Sequence, residues 1–264
     1  MLILFNRFLR ILGIVAIMIF LLAPVLLVFP IAFSADSYVA WPPSAWSMRW
    51  YVELWANEEM AESFRNSFLL ASGVIVLTLL VATPAAIGLT RWTFFLRDTL
   101  LSLFTAPLLL PSIVLGLAIL IIFVGYGLVG SWPGIIMGHL VITLPYALRV
   151  LITGLSTLPP FVEDAAGTLG ASPLQVFRRI TLPLISPALV ASAALSFIVS
   201  FDEVVISLFI AGTQLKLLPV SLYHYVESRT DPLVAAVSAL LVLGTLALVV
   251  VVERAIGIRK AIGK

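Results

Sequence analysis

The sequence predicts an all-α membrane protein with six transmembrane helices and one long polar loop. Three observations carry this. Of 264 residues, 62% are hydrophobic and only 11% charged, where a soluble domain carries about 25% charged residues; the mean hydropathy is +1.18. Apolar runs recur near the roughly 20 residues that a spanning helix needs, a pattern of helices rather than of a barrel. One stretch, residues 158–187, interrupts these runs with acids, arginines, glycines and prolines.

The first apolar run, about 11–33, follows Arg7 and Arg10. It is longer than the apolar core of about 7–15 residues in a cleaved signal peptide, so it reads as a retained span. Residues 34–65 are polar and carry Trp41, Trp46, Trp50, Tyr51 and Trp55. Tryptophan and tyrosine favour the membrane–water interface, which predicts a short helix or loop lying along one surface. Five more spans follow at about 66–90, 99–124, 133–154, 186–211 and 232–252. Asp231 is placed to cap the last of these, with Pro232 at its first position. The organisation expected is an N-terminal span with its interfacial segment (1–65), a five-span core (66–255) and a short tail (256–264).

Charge placement predicts the orientation. With the N-terminus inside, the inner segments hold Arg7, Arg10, Arg91, Arg97, Arg178, Arg179, Arg254, Arg259, Lys260 and Lys264, and the outer ones only Arg49, Arg65, Lys216 and Arg229. Both termini are therefore expected in the cytoplasm. The outer segments are acidic through Asp36, Glu53, Glu58, Glu59, Glu62, Glu227 and Asp231. The basic residues do not cluster among aromatics, so the pI near 9.1 does not indicate nucleic acid. With no cysteine there is no disulfide framework or thiolate metal site. A phosphate loop and a His-x-x-x-His pair are missing from the sequence, so any nucleotide chemistry belongs to another subunit.

The stretch 158–187 reads as two short helices. The first runs from about 161 to 169 after Pro159 and Pro160, with Glu163 and Asp164 in its first turn, where acids suit the positive helix end. Gly170 is placed to end it. Ser172, Pro173 and Gln175 form a capping-box start for the second, with Arg178 and Arg179 in its last turn. Leu174, Phe177 and Ile180 recur every three residues as one apolar ridge. Such a helix pair suits either docking onto a partner or packing as a connecting loop.

Polar residues inside spans are costly and therefore informative. In the fifth span Ser192, Ser196, Ser200, Glu203 and Ser207 follow at steps of three and four, a stripe along one helix face. Glu203 is the candidate for lining a wet path. Asp202, about 100° away, sits at its edge or pairs with a cation, and both carboxylates can equally serve as structural partners. The fourth span carries His139, Thr143, Tyr146, Arg149 and Thr153 in a similar stripe. His139 alone reads as a satisfied core residue. The stripe as a whole is a candidate lining face or a contact with a second transmembrane subunit. Tyr223, His224 and Tyr225 stand in the last outer segment, where aromatic rings can hold a cation or anchor at the interface.

Asp164-Ala165-Ala166, Gly170 and, after nine intervening residues, Ile180-Thr181-Leu182-Pro183 resemble the signature loop of ABC importer membrane subunits, E-A-A-x-x-x-G, nine residues, then I-x-L-P. Only the glutamate departs, replaced by Asp164 with Glu163 beside it. Residues 196–212, Leu218-Pro219 and Ser47-Met48-Arg49-Trp50-Tyr51 resemble the second permease subunit of spermidine/putrescine importers. Similar sequences serve opines, other amines and amino acid derivatives, phosphonates or iron. The resemblance implies the type I ABC importer permease fold in a bacterial inner membrane, embedded in lipid. It implies a cytoplasmic ATPase dimer that binds ATP and Mg, a second and non-identical permease subunit, and a periplasmic substrate-binding protein. This chain would hold no cofactor and catalyse nothing itself. Asp164, Ala165, Ala166, Gly170, Ile180, Leu182 and Pro183 would form the ATPase-coupling loop, and Asp202, Glu203, Ser196, Ser200, Tyr146 and Tyr223 the substrate path. An ion-driven transporter using Asp202 and Glu203, or a scaffold subunit, are the alternatives from other classes.

Overall fold

The computed structural model describes residues 2–159 and 161–262, without the side chains of residues 2–6, 8, 255 and 258–262. Pro160, Lys264 and the side chains of Arg259 and Lys260, which enter the loop and orientation readings above, lie outside the described residues. The helices, in chain order, are α1 (Leu2–Ala32), α2 (Arg49–Ala56), α3 (Glu58–Arg91), α4 (Arg97–Thr105), α5 (Ser112–Tyr126), α6 (Trp132–Ser156), α7 (Phe161–Thr168), α8 (Pro173–Val176), α9 (Leu182–Leu184), α10 (Ser186–Phe201), α11 (Val205–Ile210), α12 (Leu218–Ser228) and α13 (Leu233–Ile262). A 3₁₀ turn, Ala106–Leu109, follows α4, and a π-helical turn, Phe177–Thr181, joins α8 to α9. The described residues form no β-sheet. Among the described residues four helices are long and apolar enough to cross a membrane, or up to six spans if each of two bent pairs counts as one, against the six that the sequence predicts.

The third and fifth spans depart from those expected. The third is not one helix over 99–124: the chain turns by 108° between residues 109 and 112. Proline explains it. Pro111 has no N–H to donate and disfavours helical backbone before it, and Leu110 is extended at φ −91°, ψ 139°. The fifth span enters through a 68° bend at Ile185, between Pro183 and Pro187. It also ends early, at Phe201 rather than near 211, and α11 restarts after residues 202–204. Two further segments are more helical than predicted: α3 begins at Glu58, eight residues before the expected 66, and the stretch before the last span contains α12.

The chain divides into two compact units, one of Met1–Ala61 with His224–Gly244, the other of Glu62–Tyr223 with Thr245–Lys264. In the first, Asp36 organises the turn after α1. Its carboxylate accepts from the hydroxyl and backbone N–H of Ser44 and from the hydroxyl of Ser34. These bonds, those from Ser44 foremost, hold its pKa below the ordinary carboxylate value. Trp50 is buried, and Phe33 and Tyr51 pack at 5.0 Å, whereas Trp41, Trp46 and Trp55 stay exposed as interfacial tryptophans should. The Tyr225 hydroxyl donates to both oxygens of Asp231, at 3.0 and 2.9 Å. Asp231 also accepts from the N–H of Leu233, the capping role that the sequence predicts.

The second unit is built around α6. Toward its N-terminal end, Ile135 and Ile142 pack with Leu70 and Val74 of α3, Leu115 and Ile119 of α5, and Ile206 and Ile210 of α11. Toward its C-terminal end, Ala147, Leu148, Leu151 and Leu155 pack with Ala82, Ala86 and Leu89 of α3 and with Ile185. Between the two clusters, the buried hydroxyls of Thr78 and Thr143 meet at 2.8 Å. Where α6 meets α10 the approach is close enough that a Cβ on Gly154 would overlap the Ala188 side chain.

Candidate functional site

The loop 158–187 folds as the capping rules dictate. Helix α7 carries Glu163 and Asp164 in its first turn, and Gly170 ends the segment at φ +86°, a left-handed conformation that glycine reaches without strain. Ser172 and Gln175 make both bonds of the capping box, 2.8 Å from the Ser172 N–H to the Gln175 side chain and 3.4 Å from the Gln175 N–H to the Ser172 hydroxyl. The second helix is shorter than the sequence suggests. It becomes the π turn at Phe177, so Arg178 and Arg179 fall in that turn rather than at the end of an α-helix.

The motif residues divide by exposure. Asp164, Ala165, Gly170 and Pro183 are exposed, and Ala166, Ile180 and Leu182 are half-buried. Phe161, Leu169 and Leu174 add large apolar side chains to the exposed face, at 68%, 89% and 62%. Glu163 behaves differently from its neighbour. It forms an ion pair of 2.7 Å with Arg91, the last residue of α3, and accepts at 2.6 Å from the hydroxyl of Thr181 in the π turn. Neighbours on a helix point about 100° apart, so Glu163 turns to the body of the chain while Asp164 stays exposed.

At the other end of α10 the predicted stripe changes meaning. Ser192, Ser196 and Ser200 are all buried, in line with Ala188 at steps of four. They form the small-residue seam along which α10 packs on α6, a common way for membrane helices to approach closely. Ser200 and Ser207 are both taken by His139: Nδ1 lies 2.9 Å from Ser200 Oγ and Nε2 3.0 Å from Ser207 Oγ. His139 is thus the satisfied core residue that its type suggests. Thr143 belongs to the same interior network, with its hydroxyl donating to the His139 carbonyl at 2.9 Å. Tyr146, Arg149 and Thr153 of the same stripe are exposed.

Glu203 lies off any helix face. Its Oε1 accepts from the N–H of Ile206 at 2.9 Å, which caps the start of α11 and explains why the helical ladder restarts there. Asp202 is the more exposed carboxylate of the two. Next to it, four phenylalanines form a ladder between α3 and α10. Phe64 meets Phe201 edge-on at 5.8 Å and Phe68 meets Phe197 at 5.7 Å, while Phe197 and Phe201 stack at 5.4 Å. The sequence signal was available, since each helix carries its pair at i and i+4. What sequence reasoning missed was that the two pairs face each other. Tyr223 is exposed in the middle of α12. The start of that helix is tied to α3 by the Leu218 N–H to Ser67 Oγ at 2.8 Å and by Ser63 and Ser221 at 2.7 Å.

Residues 74–257 match the family model described as the inner membrane component of binding-protein-dependent transport systems. The chain belongs to this family. It is a permease subunit of an ABC importer, not an enzyme. The putrescine transport system permease protein PotI of Escherichia coli (strain K12) is 32% identical over 238 residues, 87% of this permease and 84% of that protein. The spermidine/putrescine transport system permease protein PotC of Haemophilus influenzae is 29% identical over 233 residues, 88% and 90% of the two chains. Among solved structures, that of a bacterial ABC transporter involved in the import of the acidic polysaccharide alginate superposes with a TM-score of 0.68 at 17% identity, covering 95% of this permease and 96% of that chain. The fold is therefore that of a type I importer permease.

Proposed function

We propose that this permease forms part of the translocation path for a small organic cation of the polyamine class. The observation that carries the proposal is the exposed Asp202 carboxylate at the end of the Phe64–Phe68–Phe197–Phe201 ladder. Aromatic faces and a carboxylate attract ammonium groups by the ring quadrupole and by charge, and neither favours an anion. The putrescine and spermidine/putrescine permeases among its relatives support the same class. Asp202, Glu203, Tyr146 and Tyr223 are the path residues of this proposal. Ser196 and Ser200 lie buried in the seam with α6 and support the path from behind.

In this reading the N-terminus, the tail and the loop 158–187 are cytoplasmic. The exposed face around Asp164, Ala165 and Gly170 receives an ATPase subunit, which supplies ATP and Mg. A non-identical second permease completes the path, and a periplasmic binding protein delivers the cation. Closure of the ATPase dimer moves the loop and switches the path between its two openings.

The test is uptake of radiolabelled putrescine and spermidine into vesicles holding the whole complex. Uptake is expected only with loaded binding protein and ATP, and is expected to vanish with a hydrolysis-dead ATPase. Uptake that persists with the dead ATPase would point to ion coupling. A binding protein that co-purifies with a bound anion would overturn the cation assignment.

A further inference from the structure

The two adjacent acids of α7 face different partners, and their environments assign them different work. Glu163 joins three segments of the chain. Its Oε2 holds the Arg91 guanidinium at 2.7 Å, and its Oε1 takes the Thr181 hydroxyl at 2.6 Å. Arg91 Nη1 also donates to the Leu158 carbonyl, at 3.4 Å. All three side chains are largely withdrawn from solvent: 14% of Arg91 and 19% of Glu163 stay exposed, and Thr181 is buried. An ion pair so placed is costly to break, because one partner is left as an uncompensated charge.

The position of this knot matters more than its strength. Arg91 closes α3, and Thr181 closes the π turn, just ahead of the 68° bend into α10. π turns inside helices are frequent at functional sites, and a bend is where a loop could swing without moving the span behind it. Glu163 sits on the loop side of that bend, through Thr181. It ties the helix pair to the end of α3 and to the lead-in of α10 at once. The far ends of these same two helices carry Phe64, Phe68, Phe197 and Phe201.

We propose that Glu163, clasped by Arg91 and Thr181, is the positioning residue that transmits movement of the ATPase-docking loop to α3 and α10. This rests on the reading that an ATPase subunit docks on the loop. Asp164 touches the partner, and Glu163 makes the loop move with the end of α3 and with the π turn that leads into α10.

The experiment uses the reconstituted importer and reads three quantities: ATPase subunit retained in the complex, ATP hydrolysed, and putrescine taken up per ATP. In Glu163→Gln, which keeps an acceptor for Thr181 but loses the ion pair, the ATPase subunit is expected to stay bound and hydrolysis to continue. Uptake per ATP is expected to fall about ten-fold, within the range that a coupling residue carries. The exchange Arg91→Glu with Glu163→Arg is expected to recover most of that loss. Thr181→Val, which removes one hydroxyl from the knot, is expected to lower the same ratio by a smaller factor, and it decides the matter if Glu163→Gln fails to insert. An unchanged ratio in Glu163→Gln and Thr181→Val overturns the proposal, and so does release of the ATPase subunit by Glu163→Gln, since Glu163 would then belong to the docking face. A wild-type complex that binds no ATPase subunit instead fails the docking reading itself.

Discussion

His139 and Ser207 meet at 3.0 Å across the gap in the helical ladder at residues 202–204. The other imidazole nitrogen holds Ser200, at 2.9 Å, on the near side of the gap. A neutral imidazole has one donor and one acceptor, so one ring serves both hydroxyls. The side chain of α6 thereby fixes the spacing between α10 and α11, and with it the place where Asp202 emerges.

His139→Leu removes that clasp and leaves the buried Ser200 hydroxyl without its partner, at about 1–3 kcal/mol, while Ser207 keeps its bond to the Glu203 carbonyl. Thermal unfolding in detergent is expected to fall by several degrees, and uptake to fall with it. His139→Gln, which can satisfy one serine, is expected to lose less. A melting temperature unchanged in His139→Leu would show that the clasp does not hold the gap.

Gly170 is needed for its backbone, not for space. No atom comes within 4 Å of where its Cβ would stand, yet its φ is +86°. An L-residue there costs roughly 1–2 kcal/mol, less for asparagine. Gly170→Asn is expected to keep most uptake, Gly170→Ala to lose more, and Gly170→Asp, which adds a charge to the docking face, to abolish ATP-coupled uptake while the chain still inserts. Full uptake by Gly170→Asp would remove the loop from the coupling path.

The two carboxylates at the end of α10 separate by substitution. In Glu203→Gln the side-chain carbonyl can still accept from Ile206, so the cap survives and only charge is lost. Putrescine uptake is expected to drop several-fold with assembly intact. Asp202→Asn is expected to drop it further, because Asp202 is the more exposed. Equal uptake by wild type and both variants, measured at sub-saturating putrescine, would return both residues to structural roles.

Tyr225 sets a limit at high pH. Burial, then its hydrogen bond to Asp231, pushes its phenol from 10 up to about 12. A raised phenol pKa means that the folded chain favours the protonated form. Its contribution is therefore complete below pH 10 and lost as pH rises toward 12. Tyr225→Phe is expected to lower stability by about 1–2 kcal/mol at neutral pH and to flatten the fall in melting temperature between pH 10 and 12. An identical alkaline profile for both proteins would sink this account.

Much of the loop 158–187 was legible from local rules. The capping box at Ser172 and Gln175, the Gly170 stop and the acids of α7 act within a few residues of themselves, so neighbouring letters are sufficient. The long apolar helices were legible for a similar reason, since a bilayer sets helix length. The breaks were less so. Pro111 and Pro183 were visible, but a proline inside an apolar run marks a possible kink without giving its angle. The serine stripe of α10 was seen as a face, yet its partner was not. Periodicity finds a face, and only packing says whether that face meets water or Gly154 and His139.

The sequence by itself determined a helical membrane chain with a signature loop, because hydropathy, proline and capping are local properties. Tertiary structure alone decided that Glu163 turns inward to Arg91 while Asp164 stays out, that His139 bridges Ser200 and Ser207, and that four phenylalanines from two helices meet beside Asp202. Each of these joins residues dozens of positions apart. Such contacts depend on how helices cross, and crossing is settled by the fit of whole side-chain ridges rather than by any one stretch of chain.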